Sequence, residues 1–214
     1  MCGIGGFVGK IDNGVGLLRQ LNRNQRHRGP DDQGQFVSEC GLVGLAMTRL
    51  SIIDHQLGQQ PMTIDNGRLA VIFNGEIFNA AELRAHLQDE YTEQFDSNHS
   101  DTEVLLRMYK YYGSECFEKL NGMFAVAIYD RTRRKVTLCR DYFGIKPLVY
   151  SLNNDRIIFS SEIRALLDIR DLKQSLDNVA IAHYLDFGYI NAPHSIYEGV
   201  KRLQAGHLAE IDLS

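Results

Sequence analysis

The stretch Met1-Cys2-Gly3-Ile4-Gly5-Gly6-Phe7 decides how the rest of the chain is read. Residues 3–9 predict a short apolar strand, rich in glycine where a backbone must come close to other groups. Cys2 stands at the head of that strand, directly behind Met1. Removal of Met1, a common processing step before a small residue, would leave one residue carrying both a thiol nucleophile and an α-amine base. An α-amine titrates near about 7.7–8.0 and a thiol near about 8.5. The unprotonated amine can therefore take the thiol proton, directly or through one water. With Met1 retained the nitrogen is an amide and has no useful basicity. A cysteine at position 2 is ordinary by itself, so the case rests on what surrounds it.

Outward from this strand, Asp12 or Asn13 predicts the cap of a helix running to about Gln25, with Val15, Leu17, Leu18 and Leu21 facing inward. Residues 26–34 form a polar Gly/Pro loop. Strands are expected at 35–38 and 42–47, joined by a turn at Glu39-Cys40-Gly41. Residues 68–73 read as a buried strand ending at Asn74-Gly75, a dipeptide suited to a tight turn or αL geometry. Two capping boxes, Asn79-Ala80-Ala81-Glu82 and Ser100-Asp101-Thr102-Glu103, open helices at 80–87 and 101–112, with Val104, Leu105 and Met108 facing inward in the second. Strands follow at 124–130, 135–140, 149–152 and 156–160, short helices at 161–167 and 177–187, and a last strand at 206–211. Strands in two batches with helices between and after them predict an α+β layered arrangement rather than alternating βαβ units.

Composition limits the function. The 214 residues suit one sizeable domain, and 44% hydrophobic with 23% charged residues is ordinary for a soluble globular protein. A net charge of −4 argues against nucleic acid as a partner. The densest basic run, Arg131-Thr132-Arg133-Arg134-Lys135, lies between two predicted strands and reads as a solvated hairpin turn. Neither a signal-peptide pattern nor an 18-residue apolar stretch occurs, so no membrane partner is expected. Four scattered cysteines without a C-x-x-C pair fit a reducing, cytoplasmic setting, with Cys139 a core residue. Seven histidines lack ligand spacing, so no metal site is expected.

A thiol nucleophile needs an oxyanion site and a grip on its substrate. Asn74-Gly75 is either a plain hairpin turn or a pair of donors, the Asn amide and the Gly N–H, aimed at one point. Each such donor is worth roughly 3–4 kcal/mol in a transition state. Arg49 follows a strand, where its guanidinium can grip a carboxylate bidentately or pair with Asp54. Asp101 suits the first turn of its helix through the helix dipole, and it can also accept an ammonium group. Together Arg49 and Asp101 would hold the two ends of an α-amino acid while Cys2 and Asn74-Gly75 act farther along its side chain. Glutamine fits that division.

The chain closely resembles the glutaminase domain of glutamine-dependent asparagine synthetases, class II (N-terminal nucleophile) amidotransferases. The resemblance runs nearly end to end. It is carried by Cys2-Gly3-Ile4, Arg26-His27-Arg28-Gly29-Pro30-Asp31, Arg49-Leu50-Ser51-Ile52-Ile53-Asp54, Asn74-Gly75-Glu76-Ile77 and Ser100-Asp101-Thr102-Glu103. It continues in Gly122-Met123-Phe124-Ala125, Arg140-Asp141-Tyr142-Phe143-Gly144-Ile145-Lys146-Pro147-Leu148 and Ser161-Glu162-Ile163. It implies a four-layer αββα sandwich with two largely antiparallel sheets. It implies Cys2 as nucleophile, Asn74 and Gly75 as oxyanion hole, and Arg49 on the α-carboxylate. Asp101 and Glu76 would bind the rest of the ligand, and Leu50, Ser51, Ile52 and Ile53 would line the pocket, partly through backbone groups. Arg28 and Asp31 would be scaffold, and His27 receives no catalytic role.

The resemblance also implies that residues 1–190 form the amidotransferase domain and that 191–214 begin the connection to a synthetase domain. The Ser-Gly-Gly-Leu-Asp-Ser loop that binds ATP in that domain does not occur here, so the chain reads as a piece of a longer protein. The expected activity is hydrolysis of L-glutamine to glutamate and ammonia through a cysteine thioester, without cofactor. ATP and Mg are expected only in the synthetase domain, which would use the ammonia. The expected partners are L-glutamine, the C-terminal synthetase domain of the same full-length protein and, as an open expectation, a second copy in a homodimer. Two alternatives stand beside this reading: the same glutaminase serving a sugar carboxylate or peptide acceptor, and a catalytically silent interaction domain of the same fold.

Overall fold

Alternation along the strands builds the layers. In β1 (Gly3–Val8), Ile4 and Val8 face one core and Phe7 the other, as side chains on a strand must point to opposite faces in turn. β3 (Val43–Arg49) repeats this, with Val43, Leu45 and Met47 on the first side and Ala46 on the second. The computed structural model describes residues 1–50, 58–153, 155–169, 172 and 174–213. Helix α1 (Gly14–Asn24) and strand β2 (Asp32–Val37) lie between β1 and β3 in the chain. Then come β4 (Met62–Ile64), β5 (Leu69–Ile77), α2 (Ala80–Tyr91), α3 (Asp101–Tyr112) and a 3-10 helix, Gly113–Lys119. The hairpins β6 (Gly122–Asp130)–β7 (Lys135–Arg140) and β8 (Val149–Asn153)–β9 (Arg156–Ser160) follow. The chain continues with α4 (Ile163–Leu167), α5 (Asn178–Phe187), β10 (Lys201–Arg202) and β11 (Leu208–Asp212).

One sheet has the order β10-β8-β9-β1-β3-β2 and the other β11-β7-β6-β5-β4, every pairing antiparallel. Their inner faces meet in a core that includes Ile4, Leu45, Met47, Ile72, Ala127 and Phe159. The first sheet packs its outer face on α1 and α4 through Phe7, Leu18, Leu21 and Leu166. The second packs on α2 and α3 through Val71, Phe73, Leu87, Leu105 and Tyr109. This is a four-layer αββα sandwich. Each large apolar side chain so buried contributes roughly 1.5–3 kcal/mol. Gly6 has no side chain for a reason: a Cβ there would lie 2.6 Å from the Phe159 ring, which fills the space beside the central strand.

Several local expectations are corrected. Asn13 does cap α1, its Oδ1 accepting from Gly16 N at 3.0 Å, but Val15 is exposed and the buried stripe is Leu18, Leu21 and Asn22. The loop expected through Gly34 is already strand from Asp32, because Asp32 and Gln33 pair with Arg49 and Thr48. Asn79 makes no cap; its side chain donates to Lys119 O and accepts from Asn121 N, tying α2 to the following hairpin. Ser100 caps α3 through Glu103 N, but Glu103 accepts from Asp96 N and Ser97 N instead of closing the box. The sequence signals neither β4 and β10 nor the 3-10 helix. Beyond residue 190, β10 pairs with β8 and β11 with β7, so both sheets take a strand from that segment.

The largest correction is at Asn74-Gly75. The dipeptide is not a turn: β5 runs straight through it, Asn74 opposite Ala125 and Gly75 opposite Phe124, and ends at Ile77. An uninterrupted partner strand outweighs the turn preference of Asn-Gly. Glycine is required at 75 because a Cβ would crowd Met123 O and lie 2.7 Å from Phe124 Cα.

Candidate active site

Three inner-face rows run out at one end of the sandwich, and each ends in a polar residue. Val43, Leu45 and Met47 lead to Arg49. Ala70 and Ile72 lead to Asn74, and Ile4 leads back to Cys2. The β1–β3 register, Gly3 opposite Thr48, places Cys2 beside Arg49. These residues line one cavity of about 130 Å³ together with Leu50, Gly75, Glu76 and Asp101. Every expected site residue that lies within the described chain is thus gathered in one place. Ser51, Ile52 and Ile53, and Asp54 as the alternative partner for Arg49, lie outside the described residues.

Cys2 is held by its backbone. Arg28 Nε donates to Cys2 O at 2.9 Å, and Arg28 is itself bound to Glu162 at 2.7 Å. Ser161 fixes the next residues, its Oγ accepting from Ile4 N at 3.0 Å and its N donating to Ile4 O at 2.8 Å. The Cys2 thiol donates to Leu50 O at 3.7 Å. Burial works to raise the Glu162 carboxyl, but Arg28 and His27 overcome it and hold the pKa below its ordinary value. His27 bonds Glu162 at 2.9 Å and does not line the cavity. Asp31 N donates to Arg49 O at 3.1 Å, bracing the end of β3.

The edge of β5 beyond β4 supplies the donors. Phe73 N donates to Gln60 Oε1 at 2.6 Å, and Ile77 N to Asp101 Oδ2 at 3.2 Å. In an unbulged strand alternate N–H groups point the same way, so the Gly75 N–H between them is directed to the same edge, toward the cavity. The Asn74 side chain is buried, and its amide nitrogen has no hydrogen-bond partner among the described residues. A buried donor left unpaired costs about 1–3 kcal/mol, and this one belongs to a residue that lines the cavity shared with Cys2.

Asp101 occupies the first turn of α3 and is tied to β5 through Ile77. Burial is the main cause that raises its carboxyl pKa, and the negative charge of Glu76 adds to it. A cation entering the cavity would relieve both. Arg49, only 6% exposed, supplies the opposite charge at the end of β3. The pocket can therefore hold a zwitterion and present donors to a carbonyl next to a thiol. Among the described residues no group of three His, Cys, Asp or Glu could hold a metal, and no helix is long and apolar enough to cross a membrane.

Two further wall residues carried no assigned role in the sequence reading. Gln60 accepts from Phe73 N and donates to Thr102 Oγ1 at 3.3 Å, bracing β5 against α3. Nothing in its local sequence announces this. Lys146 belongs to a motif that carries the family resemblance, yet motif membership alone does not show that it lines the cavity.

Comparison with known proteins bears on the fold and the family. The chain is 40% identical over 191 residues, 89% of its length, to asparagine synthetase [glutamine-hydrolyzing] 1 of Bacillus subtilis. It is 32% identical over its full length to a putative asparagine synthetase [glutamine-hydrolyzing] 2 of Methanocaldococcus jannaschii. It spans only 29% and 44% of these two relatives. A solved structure described as the allosteric regulatory enzyme of purine biosynthesis superposes on 99% of this chain and 47% of its own, with a TM-score of 0.72 at 18% identity, a likeness of fold. The family model of the glutamine amidotransferase domain matches residues 1–214, and the chain belongs to that family.

Proposed function

We propose that this domain hydrolyses the side-chain amide of L-glutamine, with Cys2 as nucleophile. Removal of Met1 frees the α-amine, which takes the thiol proton. The sulfur bonds to the amide carbon, and the resulting oxyanion is held by the Asn74 amide and the Gly75 N–H. The C–N bond breaks as the Cys2 ammonium returns its proton to the nitrogen, and ammonia leaves. Water then adds to the thioester, the C–S bond breaks, and glutamate is released. Arg49 binds the α-carboxylate, Asp101 and Glu76 the α-ammonium, and Leu50 walls the pocket. The Asn74 donor, unpartnered among the described residues and in the same cavity as Cys2, is the observation that carries this reading.

In the whole protein the ammonia would pass to an ATP- and Mg-dependent synthetase domain that makes asparagine, reached through residues 191–214, in a cytoplasmic setting. The names and lengths of the relatives support this wider reading. The test is glutamate release by the domain freed of Met1. Activity is expected to vanish in Cys2→Ala; hydrolysis that survives in that variant would refute the mechanism.

A further inference from the structure

Lys146 is only 8% exposed and lines the cavity shared by Cys2, Asn74 and Asp101. Its place is set by its backbone. Lys146 N donates to Asp141 Oδ2 at 2.9 Å, and Lys146 O accepts from Arg140 Nε at 2.7 Å. The same Arg140 grips Gly144 O and Leu203 O, and Asp141 also accepts from Ile145 N and Phe124 N. Neighbouring Ile145 is exposed, while Leu148 enters the core between the sheets. The loop therefore holds Lys146 on the cavity side. No carboxylate or hydrogen-bond acceptor meets its ammonium among the described residues. The side chain is therefore largely buried against the cavity wall with no opposite charge beside it among the described residues.

Charge accounting shows what it awaits. Glutamine enters as a zwitterion, one carboxylate for Arg49 and one ammonium for Asp101 and Glu76. Its side-chain amide is neutral, so the bound substrate offers a second cation a carbonyl oxygen but no opposite charge. Negative charge appears at the γ-carbon only later, as the oxyanion of each tetrahedral adduct and as the γ-carboxylate of glutamate. We propose that Lys146 is the counter-charge for that end of the ligand, binding the γ-carboxylate of the product and favouring the anionic states that precede it. An interaction that is weaker with the substrate and strengthens along the reaction speeds the chemical step rather than the binding step. The proposal rests on the glutaminase reading.

The test uses the domain freed of Met1 in a Cys2→Ala background, so that ligands are not consumed. L-Glutamate, L-glutamine and the γ-methyl ester of glutamate, which keeps the shape but loses the charge, are titrated calorimetrically. Glutamate is expected to bind about tenfold tighter than the ester, the weight of one charge-assisted hydrogen bond. Lys146→Met is expected to remove that preference while glutamine affinity changes by less than about twofold, and Lys146→Arg to restore it within about threefold. With Cys2 intact, Lys146→Met should lower kcat and leave KM for glutamine nearly unchanged. Equal binding of glutamate and its ester by the protein with Lys146 in place would overturn the proposal without any variant. So would equal losses for all three ligands in a folded Lys146→Met. Binding of none of the three would instead contradict the glutaminase reading itself.

Discussion

Helix α3 carries two buried polar clusters, and they are built on opposite plans. Farther along the helix, Arg107 meets Glu103 at 2.7 Å, Asp96 at 3.1 Å and Glu93, while Lys110 reaches Glu93 at 2.9 Å. Tyr111 donates to Glu93 as well. Burial opposes the charge on Glu93 and Glu103, yet their partners hold both carboxyls below the ordinary range. At the first turn of the same helix, Asp101 has its pKa raised by burial and by Glu76. Beside it, among the described residues, Asn74 keeps an unpaired amide nitrogen and Lys146 an unmatched ammonium. Similar burial thus yields a satisfied cluster that holds the outer layer together and an unsatisfied one that waits for a ligand.

That contrast can be broken from either side. Arg107→Ala should cost about 3–5 kcal/mol of stability, because it strands buried carboxylates. Glutamine turnover per folded molecule should stay unchanged, as chemical denaturation beside a rate assay would show. Asn74→Ala should do the reverse. Loss of one oxyanion donor should cut kcat about 10²–10³-fold, while the melting temperature holds or rises because an orphaned polar group is gone. A large stability loss in Asn74→Ala would erase the distinction between the clusters.

A smaller effect sharpens it. Ionised Asp101 is the form that takes a ligand ammonium, and its folded pKa lies above the ordinary 3.8. As pH falls through that raised value, binding must first remove a proton, so the KM for glutamine is expected to climb in a range where an ordinary aspartate would still be charged. Asp101→Asn should raise KM at neutral pH and flatten this acid limb. An acid limb unchanged by Asp101→Asn would assign it to another group.

Much of the fold was legible because burial follows alternation. The strands at 42–47, 68–73 and 124–130 were readable from apolar runs, but each sheet draws strands from both batches, a mixing that no local pattern announces. The site residues were legible through chemistry and motif, since Cys2, Arg49, Asn74, Gly75, Glu76 and Asp101 lie in recognisable words of sequence. What escaped depends on partners distant in the chain. Asn74-Gly75 looked like a turn because nothing local reveals that Ala125 and Phe124 continue the ladder alongside. Asn79 looked like a cap because its partners Lys119 and Asn121 are some forty residues away. Gln60 binds a strand edge that exists only once β4 stops short of Phe73.

The central claim is that a sulfur freed by loss of Met1 attacks a carbon held against the β5 edge. An electrophilic glutamine analogue followed by peptide mass mapping tests it most directly. A single adduct on Cys2, formed only after Met1 is removed and blocked by excess glutamine, is the expected result. An adduct on exposed Cys40 instead, or equal labelling with Met1 in place, would contradict the account.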